Sequence, residues 1–356
     1  MAFLDALLRL FVPASKPATG DKPNVKIERR APASPNFVPG ASGLGAGTGG
    51  IAVVIADLDG EGGNIVADRL ADLLAKTEGL DVVRRHEPLR LAGPGGPVDK
   101  LSLAAEQGRG WLHDLPADLL VWGELSAENN MLCYRFLPAY AEPDGTVGAF
   151  GLGDVLDLPV SPGTVAERAI VATILAAAIR ARVGPKAPAI EALRALLADM
   201  PDLAAGPFAN LAPGPGASVL LGLGHAYAAD LRNGGTDDRL EKALACYRAA
   251  AGRVTALGEP MLWGVIENHL AAALTAVAER DENPERLAEA AGAYRAIAEA
   301  LTRIQFPIDW ALAQVRLGGT LFRQGKMAGK PQYYREAAAA FKIGEIYGRF
   351  ERLHGK

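Results

Sequence analysis

Asp57 and Asp59 stand two residues apart in VVIADLDG, at the end of a β-branched run, and Asp154 and Asp157 stand three apart in GDVLD. Paired carboxylates at strand ends are what nucleophilic or acid/base chemistry would need. The chain has no lysine between Lys100 and Lys186, and a cluster of uncompensated carboxylates would repel a phosphate. Asp57, Asp59, Glu61, Gly62 and Asp68 loosely imitate a calcium loop, but such a loop follows a helix and carries Glu at its twelfth place, whereas a strand is expected here. The run GLGAGTGG at 43–50 comes before a strand, while phosphate-cradling glycine loops come after one and lead into a helix, so it reads as linker. His86, His113, His225, His269 and His354 show no paired metal spacing, and no Ser or Cys can be placed beside one as a nucleophile. Read this way, the residues specify no metal, no cofactor and no catalytic group.

VVIADLDG is similar to the first motif of haloacid-dehalogenase-type phosphatases, and that resemblance would make Asp57 the group that attacks phosphorus and Asp59 its acid/base. The family has Thr or Val soon after, where this chain has Gly60 and Glu61, and it needs a downstream lysine and a further acidic pair for magnesium. Asp154 and Asp157 imitate that pair. The competing reading is a plain strand-to-helix turn capped by Asn64. A magnesium phosphatase is thus a distant alternative to a chain that is not an enzyme.

The elements around these residues follow from periodicity. IAVVIADLDGEGG, from residue 51, predicts a buried strand and its turn, followed by a helix through NIVADRLADLLAKT and a short strand at LDVVR. A helix around VDKLSLAAEQGRGWLHDL, a strand at DLLVWGEL and two antiparallel strands at MLCYRFLPAY and GDVLDLPV come next. A helix at TVAERAIVATILAAAIRARV closes a small α/β sandwich over 51–184. That helix does not read as membrane-spanning, because Arg168 and Arg180 enclose too few uncharged residues for the roughly 20 that a bilayer requires.

Beyond a helix and linker at 185–216, residues 217–356 repeat themselves at an interval of 47. Trp263 and Trp310 are separated by that interval, as are Pro260 and Pro307. So are Leu223, Leu270 and Leu317; Ala243, Ala290 and Ala337; and Tyr247, Tyr294 and Phe341. Each copy holds two runs of helical spacing, for example Val265, Ile266, Leu270 and Leu274, then Leu287, Ala290, Tyr294 and Ile297. The polar break ERDENPER between them places Asn283 before Pro284, the order of an N-cap and first helical residue. Three helical hairpins are predicted, stacked on one another.

Leu223-Gly224, Leu317-Gly318, Ala290 and Tyr294 match the tetratricopeptide pattern, and the chain over 217–356 resembles a long bacterial variant of that repeat, with Leu270-Ala271 departing from Leu-Gly. Gly or Ala at that place lets the partner helix approach, and the aromatic fills the space between. The order of elements over 51–183, with the phrases IAVVIADLDG, GLDVVRR and ADLLVWGELS, resembles the amino-terminal α/β domain of TolB and related FlgO-like domains. Those resemblances imply a fold class of α/β sandwich plus all-α hairpin repeats and a module used for protein contact. By repeat alignment, the concave face would present Leu221, His225, Asn268, Thr275, Val315, Phe322 and Arg323 to a protein partner.

Composition narrows the partners. With 37 basic against 41 acidic residues and no dense basic block, nucleic acid is not expected. Cys133 and Cys246, the two cysteines, fall in different predicted domains and fit a reducing, cytoplasmic compartment. MAFLDALLRLFVP places Phe3, Leu4, Leu7, Leu8 and Phe11 at helical intervals over residues 1–12, without the charged leader or cleavage site of a secretory signal. This segment could dock on a protein, fold back, or lie on a membrane surface, the last giving a peripheral protein of the inner membrane as an alternative. Residues 13–50, rich in proline and glycine, are expected to act as a disordered tether. KIGEIYGRFERLHGK keeps Ile343, Ile346, Tyr347 and Phe350 at helical spacing, which predicts self-association or partner binding through the last helix. The whole reads as a non-catalytic adaptor or scaffold.

Overall fold

The computed structural model describes residues 50–126, 128, 130–140, 142, 145–161, 163–200, 210–301 and 307–354, with backbone alone for 307–308 and 344–354. The predicted amino-terminal helix with Phe3, Leu4, Leu7, Leu8 and Phe11, and the tether after it, lie outside the described residues, as do the side chains of Ile346, Tyr347 and Phe350.

Five strands, β1 (Ile51–Asp57), β2 (Leu80–Pro88), β3 (Leu119–Ser126), β4 (Met131–Pro138) and β5 (Val155–Pro159), form one mixed sheet in the order β2-β1-β3-β4-β5. β1 pairs in parallel with β2 and β3, while β4 and β5 are antiparallel additions. β1 is apolar on both faces, as a parallel strand covered twice must be. Val54 and Ala56, with Leu120, Trp122 and Leu137, pack on helix α2 (Pro97–Asp114) through Ala104, Ala105, Trp111 and Leu112. Val53 and Ile55, with Leu119, Val121, Tyr134 and Phe136, pack on the other side, where α1 (Gly63–Leu74) and α3 (Thr164–Ala181) lie. The mixed α/β layer is therefore as the alternation of periods predicts.

At the start of α1 the expected cap is displaced. The helix begins at Gly63, Gly62 occupies the cap position at φ 79°, and Asn64 sits inside the first turn. A Cβ at Gly63 would strike the backbone of Leu58, so the chain turns too tightly for a side-chain cap, and glycine takes the left-handed conformation instead.

A short helix, α4 (Ala187–Ala198), leads to six longer ones: α5 (Pro213–Arg232), α6 (Asp238–Ala251), α7 (Pro260–Arg280), α8 (Pro284–Ala300), α9 (Pro307–Ala328) and α10 (Pro331–His354). They pair as α5–α6, α7–α8 and α9–α10, and each pair leans on the next. The first helix of each pair starts at Pro213, Pro260 and Pro307, at the 47-residue interval; proline suits this position because the first turn has no use for its missing N–H. Asn283 caps α8 as predicted, its Oδ1 accepting from the backbone N–H of Glu285 at 2.9 Å and Arg286 at 3.3 Å.

The expected small-residue approach is present. A Cβ at Gly224 would enter the Tyr247 ring, and one at Gly318 would lie 2.9 Å from Phe341. α7 is long and apolar enough to cross a membrane by length and composition, but much of it is buried between neighbouring hairpins.

The layer and the hairpins share a core. Helix α3 is buried along nearly its whole length, with the sheet on one side and α5 on the other. Its alanines permit contact on both faces. α5 also reaches the edge strand: Ser218 Oγ accepts from the Asp157 N–H at 2.9 Å and donates to the Asp157 carbonyl at 3.1 Å. This partner for β5 closes what would otherwise be an open sheet edge.

Candidate functional site

The connection from β4 to β5 crosses the first helices of two hairpins. Gly148, at φ 69°, lies against Ala228 and His225 of α5, and Gly153 lies against Val265 of α7. Phe150 meets the His225 ring edge-on at 4.6 Å and Phe136 at 5.4 Å. Earlier in the segment, Glu142 accepts from Arg180 at 2.5 Å and pairs with Arg232 at 3.1 Å.

Its end is held by Asp154. One carboxylate oxygen, Oδ1, lies 3.0 Å from His225 Nε2 and 2.9 Å from His269 Nε2, and the other accepts from the Gly151 N–H at 2.6 Å. His225 Nδ1 is 2.9 Å from the Tyr247 hydroxyl, and the two imidazole centroids are 4.5 Å apart. Asp154, His225 and His269 are 4%, 1% and 6% exposed, so the cluster is removed from bulk water.

This arrangement sets the proton affinities. Burial would raise the Asp154 carboxyl, but His269 and His225 and their hydrogen bonds outweigh it and hold the group well below the usual carboxylate range. Burial pushes His225 down to about 4, with neighbouring His269 adding to the effect and Asp154 opposing it. Burial likewise carries the Tyr247 phenol well above its ordinary value. The network is consistent with His225 donating from Nε2 and accepting at Nδ1 from the Tyr247 O–H.

A cavity of about 310 Å³ opens beside the cluster. It is lined by Leu101 of α2, Phe150 and Asp154, His269 and Asn268 of α7 and Arg316 of α9, among others. The Arg316 guanidinium donates to Asn268 Oδ1. Asp309 also lines the space, its carboxyl raised by burial with Arg316 opposing. Apolar walls with a few convergent polar groups suit the binding of a ligand or side chain.

The seven residues expected on one partner-facing groove have different surroundings. Leu221 and His225 are buried within the chain's own core, because α5 packs on α3, β5 and the crossing segment. Repeat position alone does not reveal that covering. Asn268 lines the cavity. Thr275 donates its hydroxyl to the Ala271 carbonyl at 2.8 Å, and Val315 is half-buried. Phe322 is 45% exposed and stacks edge-on with Tyr334 at 5.5 Å, and Arg323 pairs with Glu279 at 2.5 Å.

The acids that suggested phosphoryl chemistry are engaged elsewhere. Asp57 pairs with Arg84 at 2.6 Å and Asp59 with Arg90 at 3.1 Å; Asp68, from the calcium-loop imitation, meets the same Arg84 guanidinium at 2.9 Å. Asp154 and Asp157 belong to the far edge of the sheet, with β3 and β4 between β5 and β1. The four acids do not converge.

Spacing alone does not reveal the Asp154–His225–His269 cluster. His225 and His269 are 44 residues apart, one helical turn short of the repeat interval, and the carboxylate comes from a loop far from both. A signal was present: each histidine sits among apolar and small residues, in LGLGHAY and ENHLAAAL, where a buried polar group requires a partner. No family model, no curated protein and no solved structure matches this chain.

Proposed function

We propose that the protein is a non-catalytic adaptor, in which tetratricopeptide-like hairpins, carried on a TolB- or FlgO-like α/β layer, hold a segment of another protein. The reading rests on one observation: the face made by the first helices of the stack already takes a non-helical, turn-containing piece of polypeptide, the chain's own segment 145–154, across α5 and α7. Hairpin stacks use such faces for peptide recognition. The stretch of the face beyond that segment, from Met261 and Val265 on α7 to Leu312 on α9, borders the cavity and is where a partner segment would continue.

Photo-crosslinking tests this. A photoreactive side chain at Val265 or Leu312 should capture a discrete polypeptide, and the same group at Glu289, exposed on α8, should not. Capture from neither cavity position, or equal capture from all three, would overturn the adaptor reading. Turnover of a generic phosphomonoester with magnesium, lost in Asp57→Asn, would replace it with the phosphatase alternative.

A further inference from the structure

We propose that Asp154, His225 and His269 bind one divalent first-row transition ion of the zinc or ferrous type. The inference goes beyond the adaptor reading and does not depend on it.

Two imidazole nitrogens and one carboxylate oxygen form a donor set favoured by such ions, and hard ions such as magnesium and calcium prefer all-oxygen cages. The three donor atoms lie within 4.8 Å of one another, with both Nε2 atoms next to Asp154 Oδ1. Tetrahedral coordination with bonds of about 2.0–2.2 Å places donors about 3.3 Å apart. The observed Oδ1 to Nε2 separations of 3.0 and 2.9 Å are a few tenths shorter, a gap that small side-chain rotations would close.

The outer groups point the same way. Metal-bound imidazoles have their second nitrogen held, and metal-bound carboxylates have their second oxygen held. With Nε2 on the ion, His225 would be the Nδ1–H tautomer, the reverse of the ion-free arrangement, and would donate to the Tyr247 hydroxyl oxygen, while the Gly151 N–H holds Asp154 Oδ2. A cation at the centre would also offset the carboxylate charge that the fold buries. Three protein donors leave a fourth position, and because Asp154 and His269 both line the 310 Å³ cavity, that position would face it. Water, or a carboxylate or imidazole of a bound segment, could complete the shell.

The test uses the full chain stripped by a chelator and titrated with Co²⁺ and Zn²⁺. One ion per chain is expected, with Co²⁺ giving ligand-field bands of a four- or five-coordinate nitrogen and oxygen site and no thiolate charge transfer. Zn²⁺ should raise the melting temperature of the unaltered chain, since an ion that binds only the folded state stabilises it, and Mg²⁺ should not. Affinity should fall at least tenfold in His269→Ala and in Asp154→Asn, and about tenfold or more in Tyr247→Phe with stoichiometry kept. Replacing the exposed pair His86 and His113 by alanine should leave binding unchanged. If the folded, stripped chain takes up no ion, shows no Zn²⁺-dependent melting shift, or loses its ion only in the surface pair variant, the proposal is wrong. The melting and Co²⁺ measurements on the unaltered chain decide the matter even if a core variant does not fold.

Discussion

The first and third hairpins carry similar sequence patterns in different surroundings. In α5–α6, Leu221 is buried and Gly224 faces a fully buried Tyr247, because α3, β5 and the crossing segment cover the helix. In α9–α10, the equivalent positions are half-buried Val315, and Gly318 against a half-buried Phe341, with Phe322, Tyr334 and Ile343 exposed nearby. A repeat therefore fixes the shape of its own helix pair, and what a given position does depends on what the stack leans against. It also explains why the histidines cluster at the covered end, where a polar group must be satisfied by other parts of the chain.

Paired substitutions at equivalent positions would break or sharpen this contrast. Leu221→Ala should cost about 3 kcal/mol, whereas Val315→Ala, at the open end, should cost about 1 kcal/mol. Equal losses in urea denaturation would show that the two ends are packed alike. Gly224→Val should destabilise by about 2–3 kcal/mol because it forces a side chain into the Tyr247 ring, and Gly318→Val by about half as much because Phe341 has room to move. The same denaturation midpoints, read side by side, check this ordering.

A cap contributes less and should be insensitive to the layer. Asn283→Ala is expected to cost about 1 kcal/mol through loss of its two backbone hydrogen bonds, measured as a fall in melting temperature. The smallest effect is at the sheet edge. Burial raises the Asp157 carboxyl, with the hydrogen bond from Cys133 and the charge of Arg135 opposing. The folded state therefore keeps this proton to a higher pH than the unfolded chain, and stability is lost as pH rises through the folded value. Asp157→Asn should remove that loss, raising the urea midpoint slightly near neutral pH and not at acid pH. A change of opposite sign would mean that the carboxylate, not its burial, stabilises β5.

Much of the architecture followed from local pattern. Strand and helix order over 51–184, the cap at Asn283 and the Gly-to-aromatic approach depend on neighbours three, four or a few dozen residues away, and periodicity records those directly. The turn after β1 did not follow, because Gly62 is required by its left-handed φ of 79° and Gly63 by contact with the Leu58 backbone, and neither by the cap preference of Asn64. The groove candidates divided for a similar reason. Alignment within a repeat identifies equivalent positions, but the cover over Leu221 and His225 comes from α3, β5 and the crossing segment, outside the repeat itself.

In this chain, hydrophobic period and turn residues were enough to determine the elements and their 47-residue recurrence, since backbone geometry imposes those periods on any amphipathic segment. Which acids would be paired off by arginines, and which one would meet two histidines in a dry interior, required the folded packing. Charges and hydrogen-bond donors find their partners through space, and the sequence distance between Asp154 and His269 carries no record of that meeting.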